Sequence, residues 1–169
     1  VAGANITRRR HPDVKFLLFG DEAKIAPLVS KQRGLSEFVE IRHASEKEQP
    51  EDKPSQIVRR GHETSMWKSI EAVKSGDADG IVSAGNTGAL LAMAMILLRR
   101  LEGIDRPAIA SFFPTLRGET VMLDLGANIQ CDARNLVEFA IMGEVFARTI
   151  LGINDPTIGL LNVGEEETK

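Results

Sequence analysis

The amino-acid sequence predicts an α/β protein with a mostly parallel sheet and helices on both of its faces. Short apolar runs that end in Gly or polar turns predict strands, and longer stretches with apolar residues at helical spacing predict helices. The two kinds of segment alternate along the chain, which is typical of a parallel sheet because crossover helices cover its faces. The chain has 169 residues, the usual size of one domain, and we expect residues 1–169 to form a single α/β domain.

The first half of the chain contains two predicted strands. The run VKFLLF ends at Gly20-Asp21, where a strand would turn, and the next strand alternates apolar and polar residues. A polar, acidic stretch with two prolines then predicts a surface loop. In order, the predicted elements are the end of a helix at 2–10, a strand at 14–19, a helix at 22–32, a strand at 38–42, a loop at 45–54 and a helix at 54–75.

The second half continues the alternation. Residues 89–98 form the longest apolar run, about half of the ~20 residues that a membrane-spanning helix needs, and this predicts a buried helix. A short turn at 116–118 joins two further apolar runs. The predicted elements are a strand at 78–82, a helix at 87–101, strands at 107–112 and 120–125, a helix at 132–151 and a strand at 157–163.

Composition and charge exclude several function classes. The net charge of −3 gives no bulk attraction to nucleic acid, and the aromatic content of 5%, with no Tyr and only Trp67, offers no base-stacking platform. The single cysteine, Cys131, cannot form an intrachain disulfide, which fits a reducing, cytoplasmic compartment. No charged-then-apolar leader opens the chain, so secretion has no support.

Three predicted strands end in turns that combine Gly with Asn or Ser. Glycine lets the backbone approach a ligand closely, and the start of a helix favours an anion through its free N–H groups and its dipole. Because parallel strands present their carboxyl ends along one rim, the turns at 83–88, 126–128 and 162–167 together predict a phosphate-type site. The alternative is that each is only a tight strand-to-helix connection. The candidate phosphate-binding residues are Ser83, Gly85, Asn86, Thr87, Gly88, Asn162 and Gly164.

Other chemistry has weaker support. Neither G-x-G-x-x-G nor G-x-x-x-x-G-K-[ST] occurs, so a nucleotide site is not favoured. The histidines provide no ligand-spaced pair for a metal. His11 and His43 are expected at the surface, and a position of His62 near an anion is the less favoured alternative. Cys131 is interpreted as a bystander thiol rather than a nucleophile.

The order of short motifs along the chain resembles the PlsX family, the bacterial acyl-ACP:phosphate acyltransferases of phospholipid synthesis. The motifs cover nearly the whole chain. They are DKP at 52–54, RR at 59–60, SM at 65–66, SAGNTGAL at 83–90, GIDRPA at 103–108, DLGAN at 124–128, FAIMG at 139–143 and LLNVGEE at 160–166.

The resemblance implies a three-layer αβα fold like that of isopropylmalate dehydrogenase, a homodimer, and a cytoplasmic protein with a loose association at the inner membrane face. It implies acyl carrier protein and inorganic phosphate as substrates, with no metal or redox cofactor. The acyl phosphate product would pass to a downstream membrane glycerol-3-phosphate acyltransferase. The family has an opening strand that runs into an Asp-Ala-Met-Gly-Gly-Asp turn, and it continues beyond Lys169. We therefore expect a fragment of a longer enzyme, without its first strand and C-terminal half.

The family reaction needs a phosphate cradle, a stabiliser for the oxyanion and relief for the leaving thiolate. We assign the cradle to the backbone of Asn86, Thr87 and Gly88, with Ser83 nearby. Asn128 is the expected donor to phosphate or oxyanion. Lys169, which the family motif carries, would neutralise phosphate and protonate the leaving sulfur; the alternative is a surface lysine paired with Glu165.

Two other classes of function stay open on the sequence alone. A metal- and NAD-dependent hydroxyacid dehydrogenase would share the fold, although the motifs do not fit it. The second alternative is a non-catalytic protein that binds phosphate or an acyl carrier. Turnover by the full-length protein would distinguish an enzyme from such a binding protein.

Overall fold

The computed structural model describes residues 1–47, 61–116, 118–128 and 130–161. The chain divides into two compact units, Val1–Arg99 and Arg100–Lys169. Helices and strands are present in both. The α/β class predicted from the sequence is confirmed as a mixed fold with helices and a small parallel sheet.

The first unit opens with helix α1 (Ala2–Arg10) and then a β-α-β segment. Strands β1 (Phe16–Gly20) and β2 (Val39–His43) pair in parallel, with Phe16 opposite Val39 and Gly20 opposite His43. The connection contains helix α2 (Glu22–Ser30), which begins where the Asp21 carboxylate accepts a hydrogen bond from Ala23 N at 3.0 Å. The predicted strands at 14–19 and 38–42 and the helix between them are confirmed.

Two helices form the hydrophobic core of the first unit. Helix α3 (Ser65–Ser75) is capped by Thr64 and ends at Gly76, whose φ of 80° suits glycine. Helix α4 (Thr87–Leu97) packs against it. The buried side chains of this core are Met66, Trp67, Ile70, Ala89, Met93 and Leu97. The start of α4 is thereby fixed relative to α3.

The second unit is a β-hairpin on a long helix. Strands β3 (Ser111–Thr115) and β4 (Gly118–Met122) are antiparallel, as a short connection requires. They pack on helix α5 (Ala133–Leu151), where the rings of Phe112 and Phe146 lie 5.5 Å apart. Asp132 and Asn135 form a reciprocal capping box at the start of α5.

Two predicted strands are not formed within the described residues. Residues 78–82 and 157–161 are extended or irregular without strand pairing in the described part of the chain, and Val82 is fully exposed. An apolar run becomes a strand only where a neighbour supplies hydrogen bonds. Among the described residues, no helix has the length and apolar character needed to cross a membrane.

Candidate functional site

The turn at 83–88 leads directly into α4, as the sequence predicts. Asn86 is the N-cap of the helix, and its Oδ1 accepts a hydrogen bond from Ala89 N at 2.9 Å. Ser83 Oγ accepts a hydrogen bond from Gly85 N at 3.2 Å, which closes the turn before the cap. The buried Ala89 anchors this helix start in the core. The turn is therefore a fixed structure that sits on a packed helix.

Two backbone donors remain open at this helix start. Within the described part of the chain, the N–H groups of Thr87 and Gly88 make no hydrogen bond, since the cap serves Ala89. Both residues are exposed. A Cβ at Gly88 would meet only Asn86 Oδ1, at 3.3 Å. Free N–H groups at the positive end of a helix are suited to an anion.

A cavity of about 460 Å³ in the first unit is lined in part by the first three residues of this turn, Ser83 to Gly85. Its lining includes the polar residues Lys47, Ser65, Ser69 and Ser83. The other lining residues are Val1, Leu17, Leu18, Phe19, Ile25, Met66, Val82, Ala84 and Gly85. The cavity combines apolar walls with a small set of polar groups, as ligand sites commonly do.

The sequence interpretation missed Lys47, Ser65 and Ser69. The sequence predicts only a surface loop at Lys47, because the neighbours of this residue depend on a pairing that is distant in sequence. Glu46 forms a parallel bridge with Thr64, and Ser65 N donates to Glu46 O at 3.0 Å. This pairing places Lys47 beside the start of α3. Only the SM motif at 65–66 pointed to this region.

Gly85 has a packing reason to be glycine. A Cβ at this position would lie 2.7 Å from Met66 Cε, and Met66 is buried in the core. A larger residue here would require the terminal methyl group of the Met66 side chain to shift within the core. This contact is independent of any ligand, whereas Gly88 has no comparable packed neighbour.

The turn at 126–128 in the second unit is organised by a carboxylate. Asp124 Oδ1 accepts hydrogen bonds from Ile109 N at 2.8 Å and Ala127 N at 3.2 Å. Its Oδ2 accepts from Asn128 N at 2.7 Å and from Asn128 Nδ2 at 3.0 Å. Gly126 has a φ of 104°, which glycine adopts readily. One side chain thus accepts hydrogen bonds from both Ala127 and Asn128 of the turn.

Burial and hydrogen bonding shift the pKa of Asp124 in opposite directions. Partial burial raises its pKa, but the hydrogen bonds from Ile109, Asn128 and Ala127 outweigh this and hold the pKa of Asp124 below its ordinary value. The carboxylate is therefore charged at neutral pH. The negatively charged Asp124 carboxylate thus already accepts the hydrogen bonds that a bound anion would need at this turn.

The Asn128 side chain is held on two sides. Its Nδ2 donates to Pro107 O at 2.9 Å as well as to Asp124 Oδ2. Both partners only accept hydrogen bonds, so the amide orientation is fixed by chemistry. The expected donor role of Asn128 stays a prediction, and it requires one of these two bonds to be shared or exchanged in the reacting complex.

A second carboxylate holds the segment that contains Pro107. Glu138 is 5% exposed and accepts hydrogen bonds from Asp105 N at 2.8 Å and Arg134 Nε at 3.1 Å. Arg106 donates to Gln130 O at 3.0 Å. The bond from Asp105 N holds this backbone on α5, and the bond from Arg106 joins it to Gln130, just before the helix. Together they position the Pro107 carbonyl that accepts from Asn128.

Several predicted site residues lie outside the part of the chain that the structure describes. Asn162, Gly164 and Lys169, with Glu165, lie outside the described residues. The common rim for the three turns remains a prediction. His11, His43 and Cys131 are exposed, and His62 lies against Trp67 with ring centroids 4.1 Å apart.

The whole chain, residues 1–169, matches the family described as fatty acid synthesis protein. It is 60% identical to a phosphate acyltransferase of Rhodospirillum rubrum over 169 residues, which are all of this chain and 48% of that protein. A phosphate acyltransferase of Rhodospirillum centenum is 59% identical and one of Paramagnetospirillum magneticum 54%, with the same coverage. The chain spans about half the length of these relatives. It belongs to the fatty acid synthesis protein family.

Proposed function

We propose that the full-length protein transfers a fatty acyl group from acyl carrier protein to inorganic phosphate, which gives acyl phosphate for phospholipid synthesis. The observation that carries this proposal is the start of α4, where the N–H groups of Thr87 and Gly88 make no hydrogen bond within the described part of the chain. The residues just before them, Ser83 to Gly85, line a cavity that Lys47 also lines. Relatives named phosphate acyltransferase, 54–60% identical over this entire chain, support the same reaction.

The proposed step is attack by a phosphate oxygen on the thioester carbonyl carbon. A tetrahedral oxyanion forms, the carbon–sulfur bond then breaks, and the products are acyl phosphate and the carrier thiol. Holding phosphate at the Thr87 and Gly88 N–H groups supplies orientation, and the Lys47 ammonium supplies a compensating charge. Lys169 remains the proposed proton donor to the leaving sulfur, and Asn128 the proposed donor to phosphate or oxyanion.

The proposed phosphate position is the turn at 83–88, with Ser83, Gly85, Asn86, Thr87 and Gly88. The turn at 126–128 is less suited to phosphate, because the Asp124 carboxylate already uses its donors and would repel a second anion. Asn162 and Gly164 are retained as further phosphate-binding candidates on the family motif. The proposed anion cradle is therefore limited to the turn at 83–88 and the start of α4.

For the whole protein we propose the three-layer αβα fold, with residues 1–169 as part of a single α/β domain. Strand β1 pairs with β2 on one side, and the cavity runs along its residues Leu17, Leu18 and Phe19 toward Val82. In the full-length protein, a further strand between β1 and residues 78–82 would occupy the apolar part of this cavity, and the proposed phosphate position would stay at the turn 83–88 and the start of α4. This arrangement would extend the parallel sheet.

A homodimer is proposed from the apolar face of α5. Val137, Ile141 and Val145 recur every four residues and are 60%, 52% and 57% exposed. Side chains at this spacing share one helix face, and such an apolar stripe is typical of an interface. Ile96 and Leu98, at the end of α4, are also exposed. The other possible cover is the remainder of the same polypeptide.

We propose a cytoplasmic location with peripheral association at the inner membrane face. Acyl phosphate is a reactive mixed anhydride with a fatty chain, so direct delivery to a membrane glycerol-3-phosphate acyltransferase would limit its hydrolysis. No cofactor is assigned to the reaction, because the attacking group is phosphate itself.

Phosphate-dependent release of carrier thiol tests the proposal. Full-length protein is mixed with acyl-acyl carrier protein, and free thiol and acyl phosphate are measured together. Equal amounts of the two products, formed only with phosphate present, support acyl transfer. Binding of phosphate or carrier protein without turnover would contradict it and leave a non-catalytic binding protein.

A further inference from the structure

The Asp124 carboxylate uses four donors from two chain segments. Three of them, Ala127 N, Asn128 N and Asn128 Nδ2, belong to the turn at 126–128, and the fourth is Ile109 N. The segments are further joined because Leu125 N donates to Ile109 O at 3.0 Å. The turn is thus fixed to the 107–109 backbone mainly through one side chain.

The same contacts decide how the Asn128 amide is presented. Its two N–H groups point to Asp124 Oδ2 and Pro107 O. If the carboxylate became an amide, one of its oxygens would be replaced by a donor that faces the donors of the turn. Asn128 could then rotate away, and the backbone of the turn would lose its common acceptor.

We propose that Asp124 is a positioning residue, whose carboxylate fixes the Gly126–Ala127–Asn128 backbone and holds the Asn128 amide between Asp124 Oδ2 and Pro107 O, from where it acts by sharing or exchanging one of these two hydrogen bonds. This inference rests on the proposed acyl transfer and on the proposed role of Asn128 in it. Asp124 itself does not contact the reacting atoms in this scheme. Its effect on turnover passes through Asn128.

A double-mutant cycle in the full-length protein tests the inference. We expect Asp124→Asn and Asn128→Ala each to lower kcat/KM for phosphate-dependent thiol release by tenfold or more. Because both changes disable the same group, we expect kcat/KM of the double variant to be within about threefold of that of the less active single variant. Independent effects would multiply instead, and that result would overturn the inference.

Asp132→Ala is the matched control for lost stability. Asp132 is also a carboxylate of the second unit that accepts a backbone hydrogen bond, from Asn135 N at 2.8 Å, but it caps α5 and makes no hydrogen bond to Asn128 in the described part of the chain. We expect Asp132→Ala to lower Tm while kcat/KM stays within about threefold of the unsubstituted protein. If Asp124→Asn affects Tm and kcat/KM in the same way as Asp132→Ala, its role is structural only.

A measurement independent of turnover separates this inference from the proposed function. In protein labelled with ¹⁵N at asparagine, hydrogen exchange of the Asn128 side-chain amide can be followed directly. We expect exchange to be at least tenfold faster in Asp124→Asn than in Asp132→Ala. Unchanged exchange would overturn the positioning role even in an active enzyme. Faster exchange in a protein without phosphate-dependent turnover would instead refute the proposed function and leave the positioning of Asn128 intact.

Discussion

The glycine at the second position of α4 provides the sharpest test of the phosphate cradle. Gly88→Val places a branched side chain beside the open N–H groups of Thr87 and Gly88. The only described atom near the added Cβ is Asn86 Oδ1, at 3.3 Å, which needs to move by a few tenths of an ångström. The change therefore obstructs the approach to the helix start without filling a packed space.

The magnitude follows from the hydrogen bonds that an anion would lose. A hydrogen bond to a charged group contributes about 1.5–3 kcal/mol, and about 1.4 kcal/mol corresponds to a factor of ten. Loss of one such bond predicts a rise of roughly tenfold or more in the KM for phosphate. The KM for acyl-acyl carrier protein should change by less, since the lost hydrogen bonds are those to phosphate.

The assay measures the KM for phosphate, the KM for acyl-acyl carrier protein and Tm on the same full-length variants. Gly3→Val is a matched control, because Gly3 is also the second residue of its helix, α1, and a Cβ there meets no atom within 4 Å. We expect Gly3→Val to leave the KM for phosphate unchanged. A lowered Tm in Gly88→Val with an unchanged KM for phosphate would refute the cradle and make Gly88 a packing residue.

Three further predictions concern the second unit. Glu138→Ala should destabilise the protein by about 1–3 kcal/mol in denaturant unfolding, because it leaves Asp105 N and Arg134 without their buried acceptor. Glu138→Gln keeps one acceptor oxygen and should therefore lose less stability. Equal losses of stability in the two variants would contradict this account. Because the pKa of Asp124 in the folded protein lies below its unfolded value of about 3.9, its charge stabilises the fold fully above that pH and loses this effect as the pH falls through the folded pKa. The difference in unfolding free energy between the unsubstituted protein and Asp124→Asn should therefore be constant from about pH 8 to about pH 5 and shrink below about pH 4, and a difference that grows on acidification would be inconsistent with it. Val145→Glu should halve the mass measured by light scattering, while the same change at Val14, just before β1, should not; an unchanged dimer with reduced stability would mean that the rest of the polypeptide covers this face.

Local patterns predicted the elements that depend on neighbouring residues. The β1–α2–β2 segment was placed within about two residues, because a short apolar run, Gly20 and the Asp21 cap are all visible in sequence. The start of α4 at Thr87 was predicted correctly, although the helix ends at Leu97 rather than Leu101. Helix ends depend on contacts that spacing alone does not reveal.

Long-range contacts account for what the sequence analysis missed. Residues 78–82 have the composition of a strand, yet strand formation depends on a partner elsewhere in the chain. The aspartate of the DLGAN motif was noted as part of a resemblance, but its function as an acceptor depends on Ile109, 15 residues away. Lys47 joins the cavity only through the pairing of Glu46 with Thr64. None of these contacts has a local signature.

The central claim is that phosphate is the acyl acceptor. The most direct measurement uses full-length protein and acyl-acyl carrier protein with increasing phosphate, and it quantifies carrier thiol and acyl phosphate in the same samples. The account predicts that both products rise together, in equal amounts, and saturate with phosphate. Thiol release at the same rate without phosphate, with free fatty acid as the product, would contradict it.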